Sequence, residues 1–265
     1  MIRSFRELLK YRNLIHVLVV RELKARYRGS VLGFLWSLVN PLLNLLIYAI
    51  VFTYILEQRD PSTSPYVLFL ASGLLPWTWL SASILQGASS ILDGSAMLKK
   101  IAFPAEVLPI VYILSNGVHF ILSLPIYMAF ALYFHLPFHA SLLALPLLFF
   151  AQILFSASIC LVVAALTVFF RDLRDLVANL LTLWFFSSPI IYSMRMPALE
   201  KSSALRQLLM LNPLTHLIEA YHAVLFHGRW PHLTGFLAFL AFSLIALVFA
   251  YALFDRLRDA FIEEI

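Results

Sequence analysis

The chain alternates long apolar windows that contain no Asp, Glu, Lys or Arg with shorter segments that carry all of its formal charge. A membrane-crossing helix needs roughly 20 apolar residues, and each window meets or approaches that length. At about 1.5 Å of rise per residue, the first window would extend about 39 Å as a helix, enough to cross a bilayer at a tilt. The pattern predicts an all-α integral membrane protein with six transmembrane helices: Val31–Leu56, Tyr66–Leu92, Val107–Phe134, Ser141–Phe170, Leu176–Ser193 and Leu233–Phe254.

The distribution of basic residues predicts the orientation of these six crossings. An even number of crossings places both ends of the chain on one side of the membrane, and Lys and Arg favour the cytoplasmic side. With both termini in the cytoplasm, the cytoplasmic segments carry 14 of the 19 Lys and Arg residues and the outer segments carry 5. The turn between the third and fourth windows has no Lys or Arg and is predicted from His135, Pro137 and His139.

Two segments outside the windows have patterns of their own within a single transmembrane domain, residues 1–265. Within the cytoplasmic segment 1–30, residues 2–12 have the apolar and basic faces of a helix that lies in the membrane interface. In the outer loop 194–232, residues 204–227 are apolar but contain charges, histidines and Pro213. This pattern predicts two short re-entrant helices before the last span.

Composition supports a lipid environment for the whole chain. Apolar residues make up 62% of the sequence and charged residues only 12%, about half the fraction usual in soluble proteins. The net charge of +5 is explained by basic residues that flank the spans, so no nucleic-acid partner is predicted. The single cysteine, Cys160, excludes an intramolecular disulfide bond.

Several kinds of chemistry are disfavoured by what the sequence lacks. It contains no GxxxxGK[ST] motif, so it has no recognisable phosphate-binding loop. The predicted spans contain no ionisable Asp, Glu, Lys or Arg, which disfavours a proton- or ion-coupled transporter. His216, Glu219 and His222 do not form the HExxH pattern of a metalloprotease, and a structural polar cluster is the preferred interpretation. No catalytic residue, metal site or cofactor in this chain is predicted.

Four motifs in the order of the chain resemble the type-2 ABC export permeases that move polysaccharides and polyol phosphates. They are RELKARYRGSVLGFLWSLVNPLLNLLIY from Arg21, MLKKIAFPAEVLP from Met97, FFRDLRDL from Phe169 and LNPLTHLIEAYH from Leu211. The resemblance covers nearly the whole chain. It implies the membrane subunit of an ATP-driven exporter in a bacterial inner membrane, working as a homodimer with two ATPase subunits that bind ATP and Mg. The implied substrate is a lipid-linked glycan such as an O-antigen.

The resemblance also gives residues 93–106 an implied role. From the residues alone, a short amphipathic helix that ends near Pro104 is first explained as an ordinary positive-inside turn. In the family, such a coupling helix sits in a groove of the ATPase subunit. The implied coupling residues are Met97, Leu98, Lys99, Lys100, Ile101, Phe103 and Pro104.

Two further sets of residues have both a general and a specific interpretation. The first set is a basic cluster that consists of Arg21, Lys24, Arg26 and Arg28. Its general role is to anchor the topology, which is sufficient to explain it. The specific hypothesis is that the cluster attracts a lipid-linked pyrophosphate to the cytoplasmic mouth of the translocation path. Most aromatic residues suit interfacial belts, but some of a smaller set would line a path for sugar: Trp36, Tyr48, Phe52, Trp184 and Tyr192. The alternative functions are a teichoic-acid exporter permease, a small-molecule exporter permease and a membrane-embedded lipid or glycan enzyme.

Overall fold

The chain folds into α-helices joined by turns, and no strand occurs in the part of the chain that the structure describes. The structure is a computed structural model that describes residues 10–26, 29–30, 33–51, 63–100, 103–196, 199 and 202–264. Its helices are α1 (Arg12–Arg26), α2 (Trp36–Ile50), α3 (Tyr66–Asp93), α4 (Ser95–Leu98), α5 (Val107–Tyr133), α6 (Leu145–Phe169), α7 (Leu173–Phe186), α8 (Ser203–Leu211), α9 (Pro213–Tyr221) and α10 (Leu233–Glu264).

Four segments of the described residues are long and apolar enough to cross a membrane. They are Tyr66–Asp93, Val107–Tyr133, Ala140–Phe169 and Leu233–Arg258, and they correspond to the second, third, fourth and sixth predicted windows. The segment from Ala140 begins with a 3₁₀ turn that leads directly into α6. The prediction of an all-helical membrane protein is therefore confirmed at the level of fold class.

Helix α3 lies at the centre and packs against α5 and α6, while α10 runs along α6. Pro76 lies inside α3, and the buried Gln152 of α6 donates from Nε2 to the Pro76 carbonyl oxygen at 2.8 Å. On the other side of α3, the indole Nε1 of Trp79 donates to the Ile113 carbonyl of α5 at 2.9 Å. Polar bonds between apolar helices fix their positions where packing alone is non-directional.

A second, smaller core lies where α3, α6 and α10 approach the same end of the bundle. Ile91, Leu161 and Phe254 are buried there together. Helix α10 continues past the predicted end of its window at Phe254 through the charged segment to Glu264. It does so because Phe261 is also buried in this core, while Arg258 and Asp255 face outward and form an ion pair at 3.6 Å.

Helix α7 is shorter than the predicted fifth window, Leu176–Ser193. It ends at Phe186, and its 14 residues span about 21 Å, less than the roughly 30 Å of a hydrocarbon core. The hydroxyls of Ser187 and Ser188 donate to the preceding carbonyl groups of Leu183 and Trp184, and Pro189 cannot continue a helix. The fifth crossing, and with it the total of six, therefore stays a prediction.

The first window is described only in part. A 3₁₀ turn at Gly33–Leu35 leads into α2, and residues 52–62 lie outside the described part of the chain. Residues 2–9 also lie outside it, so the predicted interface helix at residues 2–12 stays a prediction.

Two short helices, α8 and α9, occupy the segment before the last span, and Asn212 lies between them. Pro213 begins α9, and the Asn212 side-chain oxygen accepts a hydrogen bond from the Leu214 amide at 3.0 Å. This is a helix N-cap with proline at the first helical position, a local arrangement that the sequence LNPL favours.

Candidate functional site

A cavity of about 510 Å³ lies between α2, α3 and α5, next to the end of α1. Its apolar and aromatic wall includes Trp36, Leu75, Trp79 and Phe120. Among the described residues, the rest of the lining carries one guanidinium and several neutral polar groups, with no carboxylate: Arg26, Ser30, Asn40, Asn44, Thr78, Asn116, His119 and Ser123. Neutral polar groups in apolar helices favour a ligand that presents many hydrogen-bonding atoms.

The guanidinium of Arg26 is held at the edge of this cavity by two amide side chains. One of its terminal nitrogens donates to Gln86 Oε1 at 2.7 Å and the other to Asn116 Oδ1 at 3.1 Å. Asn116 Nδ2 in turn donates to Gln86 Oε1 at 3.0 Å and to the Tyr112 carbonyl at 2.9 Å. The network joins α1 to α3 and α5.

The position of this network within the bundle follows from helix geometry. Gln86 lies about two turns before the end of α3, and Asn116 lies about two and a half turns after the start of α5. The two helices are connected through residues 94–106, so Arg26 lies near the end of the bundle that bears this connection.

The other predicted basic residues are placed differently from Arg26. Arg21 and Lys24 of α1 are exposed and line no part of the cavity. Arg28 lies outside the described residues. Of the three basic residues that the structure describes, Arg26 is therefore the one that lines a cavity.

Trp36 is the predicted path aromatic that lines the cavity, and its Nε1 donates to Ser30 Oγ at 2.9 Å. Trp184 lies elsewhere: its Nε1 donates to Asn212 Oδ1 at 2.9 Å, and its ring makes an edge contact with Trp77 at a centroid distance of 6.3 Å. Tyr192 is half-buried after the end of α7. The side chain of Tyr48 and all of Phe52 lie outside the described part of the chain.

In the described residues of the predicted coupling segment, one turn is helical. Helix α4 has four residues, backbone hydrogen bonds from Lys99 and Lys100 extend it as a turn, and Phe103 and Pro104 are not helical. Leu98 packs against the second core, whereas Lys99 and Lys100 are exposed. Met97, Phe103 and Pro104 are half-buried, and Ile101 lies outside the described residues.

The outer histidines are structural partners of the backbone. His216 Nε2 lies 3.0 Å from the Met210 carbonyl, and the buried His222 lies between Ser72 and the Pro189 carbonyl. Burial raises the pKa of Glu219 above its usual value, and the charge of Arg195 partly opposes this shift. Within the described residues, no three His, Cys, Asp or Glu side chains form a metal-binding group.

Several residues of the cavity and its network were missed from the sequence, namely Gln86, Asn116, His119, Asn40 and Asn44. The windows were defined by the absence of formal charge, and these side chains are polar but not permanently charged. The available signal was the presence of amides inside long apolar windows, since a buried amide needs a partner or a ligand.

Residues 13–226 match the protein family described as ABC-2 type transporter. The chain is 41% identical over 267 residues to an O-antigen export system permease protein, RfbA, of Myxococcus xanthus, with 100% of each chain covered. It is 30% identical to a protein of the same name from Klebsiella pneumoniae, covering 95% of this chain and 94% of the relative. It is 24% identical to the polysialic acid transport protein KpsM of Escherichia coli, covering 93% of this chain and 94% of the relative.

Proposed function

Because the chain belongs to the ABC-2 type transporter family, we propose that it moves a lipid-linked polysaccharide of the O-antigen type out of the cytoplasm across a bacterial inner membrane. The observation that carries this proposal is the similarity over the full length of both chains to a permease named for O-antigen export. The neutral polar and aromatic lining of the cavity supports it, because sugars present hydroxyl groups and apolar C–H faces together.

The chain is a multi-pass membrane permease, that is, a transport subunit and not an enzyme. In this family the ATPase is a separate subunit. We expect ATP and Mg to bind to that partner, which is consistent with the lack of a phosphate-binding loop in this sequence.

The proposed assembly contains two copies of this chain and two ATPase subunits. Six crossings per copy, with both termini in the cytoplasm, agree with the excess of Lys and Arg in the segments assigned to that side. Most of the apolar window of helix α10 is not covered by the rest of the chain, which leaves an apolar face for lipid or for the second copy.

Coupling to the ATPase is assigned to residues 97–104. Two features of the described residues support this: Leu98 is anchored in the second core, and the adjacent Lys99 and Lys100 are exposed. A push on this loop would reach the ends of α3 and α5 directly, since the loop connects them. The same end of the bundle bears Arg26, so substrate access and coupling would lie on one side.

The test is reconstitution of the permease with its ATPase in proteoliposomes that contain a polyprenyl-diphosphate-linked polysaccharide. ATP should move the glycan to the compartment away from the ATPase, as measured by its accessibility to a glycan-degrading enzyme. In matched vesicles, the glycan is replaced by a polyol-phosphate polymer or by a small amphiphilic drug. Movement of either one in preference to the glycan, or movement without ATP, would contradict the proposal.

A further inference from the structure

The charge of Arg26 is held by neutral partners. Both amide oxygens that accept its hydrogen bonds, Gln86 Oε1 and Asn116 Oδ1, are uncharged. Among the described residues, no carboxylate lies within ion-pair distance of this guanidinium; Glu22 lies one turn earlier on α1, but the Arg26 side chain bonds to the amides of α3 and α5 instead. The amides orient the positive charge without neutralising it.

An arginine oriented in this way has donors left for a second partner. A guanidinium has five N–H groups in a fixed planar fork, and the network engages one from each terminal nitrogen. Arg26 also lines the cavity, so its remaining donors have space beside them. Charge-assisted bonds from such a fork favour phosphate oxygens.

The neighbouring groups of the cavity extend the same chemistry. Asn40 and Asn44 lie one turn apart on α2 and both face the cavity, where their amides can donate and accept. Trp36 supplies a flat apolar face on the same lining, whereas the Trp79 ring is buried and stacked on Phe120 and Phe149. A phosphate group joined to a sugar matches this combination of a cation, several amides and an indole ring.

We propose that Arg26 binds a phosphate oxygen of the lipid diphosphate that anchors the glycan, while Gln86 and Asn116 position the guanidinium and Asn40 and Asn44 contact the first sugar. This site rests on the proposed function for the identity of its ligand. It differs from a general attraction by a basic cluster, because Arg21 and Lys24 are exposed on the same helix and take no part in it.

The dissociation constant for a defined lipid tests the proposed site directly. The full-length permease with its ATPase is placed in nanodiscs of zwitterionic lipid and titrated with a radiolabelled polyprenyl diphosphate that carries one sugar. Arg26→Gln should weaken binding by about ten- to a hundredfold, since it removes a charge-assisted contact, and Arg26→Lys should restore part of it. The controls Arg21→Gln and Lys24→Gln should change the dissociation constant by less than about twofold.

Gln86→Glu separates a positioning role from a structural one. The new carboxylate would hold Arg26 at least as firmly, so the thermal stability of the protein should not fall, but it would neutralise the charge that the lipid needs. Binding should therefore weaken about tenfold or more in Gln86→Glu. In Gln86→Leu binding should also weaken, here with a loss of stability.

Four results would overturn the assignment: wild-type affinity in Arg26→Gln, wild-type affinity in Gln86→Glu, losses in Arg21→Gln and Lys24→Gln equal to that in Arg26→Gln, or equal competition by phosphatidylglycerol. The last result would mean that an ordinary phospholipid headgroup occupies the site. Export assays distinguish a failure of this inference from a failure of the proposed function. If wild-type complexes export no glycan while binding still depends on Arg26, the proposed function fails and the anion site stands.

Discussion

The Nδ1 atom of His222 lies 2.7 Å from the hydroxyl oxygen of Ser72, and this contact joins the segment after α9 to the first half of α3. On its other side, His222 Nε2 donates to the Pro189 carbonyl at 2.9 Å. The ring also stacks on Phe69 with a centroid distance of 4.2 Å. A β-carbon at Gly73 would come within 2.8 Å of this ring, so the absence of a side chain there makes room for the histidine.

Replacement of His222 should destabilise the protein measurably. His222→Ala removes two hydrogen bonds and a buried stacked ring, and we expect a loss of about 2 to 3 kcal/mol in the free energy of unfolding. Ser72→Ala removes one of these bonds and should cost about 1 kcal/mol or less, as is typical inside a membrane protein. Thermal unfolding in detergent, followed by the loss of monodisperse protein, measures both. Equal stability of His222→Ala and wild type would show that these contacts do not hold the outer segment.

The stability should also depend on pH through this histidine. A carbonyl only accepts hydrogen bonds, so neutral His222 carries its proton on Nε2. Its Nδ1 then faces the Ser72 hydroxyl, whose one proton is shared between this nitrogen and the Phe69 carbonyl, 2.7 Å from the same oxygen. Burial lowers the pKa of His222 below its usual value. The unfolded chain therefore binds a proton first, and stability falls as the pH drops below about 6.5, by up to about 1.4 kcal/mol per pH unit.

The matched variant for this prediction is His222→Gln. Its stability should fall less steeply than that of wild type between pH 7 and pH 5, measured by the same thermal unfolding assay. Some slope should remain, because burial also lowers the pKa of His227, with the charges of Arg195 and Arg229 acting in the same direction. Parallel slopes for His222→Gln and wild type would exclude His222 as the titrating group.

The sequence predicted the apolar spans well because lipid imposes a strong constraint on them. A spanning helix must satisfy its backbone internally and keep charge out, so windows without charge are visible in the sequence. The second, third, fourth and sixth windows are helices of the structure. In the fifth window hydrophobicity continues through Ile190 and Ile191, whereas helix α7 ends at Phe186.

The candidate site was harder to predict because it depends on which faces of different helices meet. Arg26 was named as one of four similar basic residues, and nothing in the local sequence distinguishes it from Arg21. Its partner Gln86 lies 60 positions away, and its partner Asn116 lies 90 positions away. Such pairings are set by helix packing, and a single sequence contains no direct record of them.

Asn212 offers a test of how α7 is tied to the outer helices. Its Oδ1 caps α9 and accepts from Trp184, while its Nδ2 donates to the Ser187 carbonyl at 3.2 Å and to Ser188 Oγ at 2.9 Å. Asn212→Ala loses all of these bonds and should reduce stability by about 2 kcal/mol. Asn212→Asp keeps the acceptor and loses the donor, so it should lie between Ala and wild type.

Limited proteolysis of the segment between α7 and α9 gives a local measure for the same variants. We expect the cleavage rate to rise in the order wild type, Asn212→Asp, Asn212→Ala. Trp184→Phe, which removes one hydrogen bond and keeps most of the ring contacts, should have a smaller effect than Asn212→Ala. A cleavage rate unchanged in Asn212→Ala would mean that α7 and α9 are held together by packing alone.

The proposed coupling loop is tested by acidic substitutions beside its anchor. Lys100 is exposed and Met97 is half-buried beside it, so Met97→Glu with Lys100→Glu should change the unfolding free energy by no more than about 1 kcal/mol, because neither residue is in the core. If these residues contact the ATPase, the double variant should retain its fold but lose most of the co-purified ATPase and export at least tenfold more slowly, because new charges in a docking surface are strongly unfavourable.

The matched control is Arg206→Glu, an exposed charge reversal in α8 on the predicted outer side, which should leave ATPase binding unchanged. Normal ATPase binding and export in the double variant would place the contact on another part of the chain, while equal losses in both variants would indicate a general effect of charge.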